Sequence, residues 1–544
     1  MRRRTTFIVP EGTPFNPDDL VVTQRRLSFA GVQAAREERI TLGLKEVPDQ
    51  VRQLLLQAQE LHVRWAQEDS YSTISPFLSR LPSGLHVFYT PLDTHTHPGE
   101  DSLCSALHTY FSPSLKCKSA AKAFIQGAAA GSTSAAGSTS AAGSTSADLQ
   151  YYSLLPSLSN LVAHIQQAAC LDSDATCLHT VSLINIADSL DIDYDGVSGT
   201  LTITVFWSKQ PAVLYDPIGE WTSYDVWNVD IQQTGGANER IEVGILNPSA
   251  AKDAHDLQLS GLLTRVGEDD HAKPTHFHFP SRHHGLLPAS QAKAQQYTVA
   301  VTQPQGLHPT VEIEFAGGAT ALTPPENRPD GSECALHAYL TLPSTVFVDE
   351  YAFNKNDPLF GESHGIQATR AIAGETDLEA PEYVVDKWGS IVLLELRTNR
   401  SAEAAAPRVT IPLHLRYLPP SDNGTLSVDV PWPVVYWACT AEQDVNLAVN
   451  PFDRVNLGYD ALHRPQTMFY HLDPKPAIGD RVVQPIKVPV YSLGSLDPAL
   501  VEVGTMVAIT VGFVWVAVLL WAGLRTHVKS ALLGPEVGEK DKRQ

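Results

Sequence analysis

Val409-Thr410-Ile411-Pro412-Leu413-His414-Leu415-Arg416-Tyr417 alternates apolar and polar side chains almost without a break. Successive side chains of a β-strand point to opposite faces, so this period of two specifies a half-buried strand. Val409, Ile411, Leu413, Leu415 and Tyr417 fall on the core face, with Thr410, His414 and Arg416 opposite. Pro412 has no N–H to give a ladder, which places the strand at an edge or a bulge. Similar runs surround it: Val311 to Phe315, Ile391 to Leu396, Leu426 to Val430 and Val434 to Tyr436. Proline and glycine separate them at intervals typical of a sandwich.

Further towards the N-terminus, Thr200 to Phe206 alternates strictly, and Gly235-Gly236 marks a turn before Ile241 to Ile245. Ile40 to Leu44 and Leu85 to Tyr89 also read as strands. A helix is expected after Glu46-Val47-Pro48-Asp49, with Asp49 as N-cap and Val51, Leu54, Leu55, Ala58 and Leu61 at helical spacing. The fold class is therefore mainly β (α+β), with β-sandwich-like domains and a few helices.

One compositional break divides the chain. Residues Gly127 to Ala147 repeat Gly, Ala, Ser and Thr. No large apolar side chain is present there to offset ordering entropy, so the stretch reads as a linker. The expected organisation is 1–126 as an N-terminal α+β region, 127–147 as linker, and 148–299 as a β-rich middle region. It continues with 300–500 as a β domain, 503–524 as a membrane span and 525–544 as a tail.

The span is charge-free from Val503 to Leu524, with Glu502 before it and Arg525 and Lys529 after it. About 20 apolar residues cross a bilayer as a helix. Basic flanks stay cytosolic, so the tail is expected in the cytosol and the bulk across the membrane. Met1-Arg2-Arg3-Arg4 has the basic start of a signal peptide without the apolar stretch behind it. Gly504, Ala508 and Gly512 fall four residues apart, a pattern that lets a second helix approach closely.

A net charge of -21 over 544 residues argues against nucleic acid as a partner. Asn399-Arg400-Ser401 and Asn423-Gly424-Thr425 are glycosylation sequons, and the six cysteines are compatible with an oxidising compartment. Neither His-Glu-x-x-His nor a phosphate loop occurs. Asp191-Ile192-Asp193-Tyr194-Asp195-Gly196 imitates the start of a calcium loop but has Thr202 where a bidentate Glu is needed. It reads instead as a polar hairpin turn. His276, His278, His283 and His284 cluster in sequence without a third ligand at regular spacing, and His95-Thr96-His97 is weaker still. No catalytic, cofactor-binding or metal-binding residue is assigned.

From Gly306 to Leu524 the order of motifs resembles the PIG-X family, including its fungal members named for a protease-B processing phenotype. Gly306-Leu307-His308-Pro309 matches the opening segment, and Leu342 to Tyr351, with Phe347, Val348, Asp349 and Tyr351, matches a P-x-G-h-F-V-D-x-Y block. Thr345 stands where the family often has glycine. Asp377 to Tyr383, with Glu379, Ala380, Pro381 and Tyr383, matches D-h-E-A-P-x-Y. Pro412 to Pro420, with His414, Arg416 and Tyr417, matches P-h-H-x-R-Y-x-x-P. Pro433 to Cys439 resembles the strand that follows.

The resemblance implies a non-catalytic subunit of GPI mannosyltransferase I in the endoplasmic reticulum membrane. That subunit would stabilise the polytopic catalytic partner, of PIG-M type, which adds the first mannose during GPI-anchor synthesis; a chaperone-like lumenal role is also implied. Cys334 and Cys439, both in family-like blocks, are then the expected disulfide, with Cys170 and Cys177 as a local second pair. The rival readings are a membrane-anchored lumenal hydrolase or glycosidase, and an adhesion or receptor sandwich. For Arg416 the choice lies between a fixed pair with a neighbouring carboxylate and a contact with the partner.

Overall fold

A computed structural model describes the chain apart from residues 14, 93–99, 128–146, 172, 211–225, 234–238, 250–252, 287–295, 319–321, 355–356, 399–407, 442–446, 448–449, 477–479, 493–497 and 533–544. The linker, apart from Gly127 and Ala147, together with His95, His97, Asn399 and the Gly235-Gly236 turn, lies outside the described residues.

Strands dominate, as the alternations require. Eleven of them form one sheet. Its order is Lys273–Pro280, Asp256–Val266, Arg240–Ser249, Arg2–Ile8, Ala35–Gly43, Thr200–Trp207, Ser189–Asp195, Ala58–Ala66, Gly84–Pro91, Leu149–Ser153 and Ile125–Gln126. Most neighbours are antiparallel, but Arg2–Ile8 runs parallel to Arg240–Ser249, with Arg2 opposite Arg240 and Ile8 opposite Leu246. A second sheet of six strands contains Glu333–Pro343 between Val434–Thr440 and Gly389–Leu396. A third, of four strands, is edged by Arg408–Pro412.

The first two sheets share one apolar core. Trp65, Val87 and Tyr151 from the first pack into the same buried cluster as Tyr339, Ile391 and Tyr436 from the second. Met1–Tyr417 and Ser427–Ile486 form one compact unit, which takes in 1–126, 148–299 and most of 300–500. Directed hydrogen bonds seal the junction. The Trp388 indole N–H donates to the Gln150 carbonyl at 2.8 Å, and the Trp388 amide donates to Ala123 at 3.1 Å. A buried polar group needs such a partner, so these bonds fix the register between the two halves.

Two local expectations change. Asp49 is the first residue of the helix Asp49–Leu55, and Pro48 holds the N-cap position. The helix stops early because Ala58–Ala66, which includes Ala58 and Leu61, is paired on both sides by Gly84–Pro91 and Ser189–Asp195. Tertiary pairing overrides the helical spacing here. Asp191 to Asp195 likewise belongs to a strand, and the turn lies beyond it, at Gly196 to Gly199. The Asp195 carboxylate accepts the Val197 amide at 2.9 Å, and Gly199 adopts a φ of 63°, the left-handed conformation that glycine enters without strain.

Three disulfides are present: Cys104–Cys117, Cys170–Cys177 and Cys334–Cys439. The last joins residues directly opposite on neighbouring strands, with Cα atoms 4.1 Å apart.

The second compact unit comprises Leu418–Leu426 and Lys487–Gln544. Its helix, Pro498–Leu532, includes Ala499–Arg525 with a mean hydropathy of 2.4, long and apolar enough to cross a membrane. Nothing lies within 4 Å of a side chain built at Gly504 or Gly512, and Ala508 is exposed beside them. The Arg525 guanidinium lies 3.7 Å from the centre of the Trp521 ring at the basic end.

Candidate functional site

The alternating run that opens the sequence reading does not remain one strand. Arg408–Pro412 pairs with His308–Phe315 at the edge of the four-stranded sheet, as a proline-bearing strand should. Past Pro412 the chain changes partner. Leu413 donates to the Pro309 carbonyl at 2.8 Å, and then His414–Leu415 pairs with Val346–Phe347.

This transfer breaks the period of two. Leu413 and Leu415 are buried as expected, but Tyr417 is 68% exposed and Arg416 only 2% exposed. The expected faces of these two residues are therefore exchanged.

Buried Arg416 bonds to backbone and not to a carboxylate. Its Nη1 donates to the carbonyl oxygens of Asp377 and, at 2.8 Å, Ala380; its Nη2 reaches Glu375 O at 3.3 Å. The guanidinium lies 4.1 Å from the centre of the Phe347 ring, and its backbone N–H donates to Thr345 O at 2.9 Å. A guanidinium offers five N–H donors in a fixed plane, and lysine could not bind three carbonyls so spaced. Burial draws the Arg416 pKa below its ordinary value, with Glu375 and Asp377 opposing the shift.

Arg416 thus gathers three of the motif blocks. Val346–Phe347 lies beneath it, and the Asp377-to-Tyr383 loop is fastened to it.

The remaining motif residues support this clamp. Asp349 caps the helix Glu350–Asn354, its carboxylate accepting the Tyr351 amide at 2.9 Å. Glu350 accepts the Thr376 hydroxyl at 2.9 Å, which ties that helix to the clamped loop. His414 stacks on Phe347 and meets His308 edge-to-face, with ring centres 5.5 and 4.8 Å apart. Burial first, and then the neighbouring His308, lower the His414 pKa. Val348 is buried, Ala380 and Pro381 are half-buried, and His308 and Glu379 are exposed.

Glu382 was not singled out from the sequence, although it lies inside a motif block. It is buried; its carboxylate accepts Ser344 Oγ at 3.2 Å and pairs with Lys116, and its amide donates to Tyr417 O at 3.0 Å. The sequence signal was an acid between Pro381 and Tyr383. Its partner lies 266 residues earlier, beyond the reach of pattern reading.

What the clamp displays is apolar. Tyr351, Leu378, Tyr383, Val384 and Tyr417 are all exposed. All five belong to or adjoin the segments that Arg416, Glu350 and Glu382 hold in place, so each is presented on a tethered backbone.

The other sequence candidates lie elsewhere. Asp193 accepts Arg64 and His62 Nδ1, at 2.5 and 2.7 Å, and Asp191 accepts Arg454 at 2.6 Å; these acids are occupied by ion pairs. His276 and His278 are exposed on the strand Lys273–Pro280, bonded to Ser260 and Asp256, with Phe277 and Phe279 on the other face. His283 and His284 are buried in the six-stranded sheet and do not join them. Asn423 is exposed in the turn between Ser421 and Gly424.

Comparison with known proteins agrees with the motif order. The family model described as PIG-X / PBN1 matches residues 304–521. "Protein pbn1" of Emericella nidulans is 41% identical over all of both chains. The Neurospora crassa protein of that name is 35% identical over 95% of this chain and 94% of its own. "Protein PBN1" of Yarrowia lipolytica is 31% identical over 44% of this chain and 47% of its own. With blocks in family order, three of them gathered around one buried arginine, and relatives matching end to end, this chain belongs to the PIG-X / PBN1 family.

Proposed function

We propose that this protein is an accessory subunit in glycosylphosphatidylinositol-anchor synthesis that stabilises a polytopic catalytic partner, the mannosyltransferase adding the first mannose. It stands in the endoplasmic reticulum membrane on one C-terminal helix, with its bulk in the lumen. Family membership supports the pathway, and the asymmetry of Glu502 against Arg525 and Lys529 supports the orientation. Three disulfides suit an oxidising lumen. Gly361-Glu362-Ser363-His364-Gly365 has the spacing of a nucleophile elbow, but it closes the helix Pro358–His364 instead of joining a strand to a helix, and so does not favour the hydrolase reading.

The observation that carries this proposal is the Arg416 clamp. A buried cation bonded to three carbonyls holds a loop rigid, and that loop presents exposed tyrosines and aliphatic side chains. Tyrosine on a preorganised backbone is the chemistry of an interface anchor.

The test is co-purification from solubilised membranes. Tyr383→Ala with Tyr417→Ala should leave this chain at its normal level while the mannosyltransferase is lost from the complex. Unchanged recovery of the partner would remove this surface from the interface. Endoglycosidase sensitivity of Asn423 tests the orientation separately, and digestion of the bulk by protease outside sealed microsomes would reverse it.

A further inference from the structure

Four adjacent strands of the large sheet place two polar rows on one face. The register sets Arg39, Thr204, Asp191 and Arg64 side by side, and Thr41, Thr202, Asp193 and His62 in the next row. Residues two apart on a strand share a face, so both rows point the same way. The opposite face, with Val63, Trp65, Leu190, Leu201 and Val205, is core.

A polar sheet face is ordinarily solvated, but this one is roofed. The Val455 carbonyl accepts Arg64 Nη2 at 2.7 Å, and Arg454 reaches down to Asp191. Between roof and sheet lies a cavity of about 250 Å³, with Tyr71 and Phe77 among its lining.

The electrostatics of the cavity select its ligand. Arg39, Arg64, Arg454 and His62 line it together with Glu37, Asp191, Asp193 and Asp453. An anion would meet four carboxyl groups, and a cation three guanidiniums and an imidazole, so neither is favoured. Arg64 is 1% exposed, and its Nη1 forms an ion pair with Asp191 at 3.6 Å but no hydrogen bond, which leaves donor capacity for a ligand. Asp193 accepts two bonds through one oxygen, and an ionised carboxylate has a second oxygen to offer. The Arg64 guanidinium and the ion-paired Asp193 both remain charged, since each holds the other's pKa on the ionised side.

A ligand suited to these groups is uncharged, offers neighbouring groups that each donate and accept, and has an apolar edge for the aromatic lining. A sugar ring has all three properties. The volume lies below the roughly 300–1,000 Å³ usual for drug-sized ligands, and so suits one ring.

We propose that this cleft is a carbohydrate-binding site for a single neutral hexose. Asp193 accepts from one hydroxyl, Arg64 donates to its neighbour, and Tyr71 and Phe77 face the ring. Thr202 and Thr204 line the floor. The site stands apart from the Arg416 surface, and its failure would leave the accessory role untouched.

The test uses the full chain in detergent micelles. Methyl glucoside, mannoside and galactoside, with inorganic phosphate as the charged control, are titrated by saturation-transfer NMR and calorimetry. At least one hexoside should bind and phosphate should not. Asp193→Asn should weaken that binding at least tenfold. Thr204→Val, which keeps the branched shape and should leave thermal unfolding unchanged, should weaken it measurably. Absence of hexoside binding at millimolar concentration overturns the proposal. So does binding unchanged in Thr204→Val, or displacement of the hexoside by phosphate.

Discussion

Replacing Arg416 with alanine removes three bonds from a charged donor to the carbonyls of Glu375, Asp377 and Ala380, together with the contact over Phe347. Bonds to a charged group contribute about 1.5–3 kcal/mol each, and a desolvated cation–π contact about 2 kcal/mol. These terms are not additive, and the carbonyls freed by the change lie in a loop that water can reach. Relief of the buried charge also offsets part of the loss. A net cost of about 3 kcal/mol, local to the loop, is the resulting estimate. At about 1.4 kcal/mol per tenfold, this raises the opening constant of the loop roughly a hundredfold. Hydrogen exchange reads it directly at the Glu382 and Val385 amides, which donate to Tyr417 and Glu382. Arg416→Lys should exchange nearly as fast as the alanine variant, because an ammonium cannot span three carbonyls in one plane. Exchange at these amides within threefold of the parent in both variants would refute the clamp.

Two further outcomes follow from the core. Opening Cys334–Cys439 by serine substitution frees a loop with a sequence separation of 105, worth about 4–5 kcal/mol by loop entropy, whereas Cys170–Cys177, separated by 7, is worth about 2 kcal/mol; denaturant midpoints of the two variants should rank in that order. Burial holds His86, His284 and His337 near a pKa of about 4 and His471 near about 3, all below the ordinary 6.5. Between those values the unfolded chain binds protons that the folded one does not, so stability is full above pH 6.5 and falls as pH drops towards 4. Denaturant titrations across that range check this, and His471→Phe should flatten the profile.

The strands were largely legible because alternation is local. Thr200 to Phe206, Leu85 to Tyr89 and Val434 to Tyr436 all lie in strands, since each buries one face against a neighbour. Arg416 was misplaced for a specific reason. Period-two reasoning assumes one sheet, and Pro412 sends the chain from the four-stranded sheet to Val346–Phe347. The motif blocks were visible as blocks, but their convergence was not. Carbonyl oxygens carry no residue identity, so no sequence pattern could name the acceptors of Arg416. The pairing of Lys116 with Glu382, and of Trp388 with Gln150, lay equally out of reach. Those contacts depend on the shared core, which draws on residues from both sides of the low-complexity stretch between 127 and 147.

The position of the first strand has a consequence for how the chain is made. Arg2–Ile8 lies in the interior of the large sheet, between two strands that both follow it in the chain. Ala35–Gly43 covers one of its edges early, but the other edge waits for Arg240–Ser249, more than two hundred residues later. At roughly 5–20 residues per second, that edge stays bare for roughly ten to fifty seconds. The exposed backbone would be a template for pairing with any other extended chain nearby. Nascent copies of this protein should therefore need a holding factor on that edge during synthesis, well before their own membrane helix has been made.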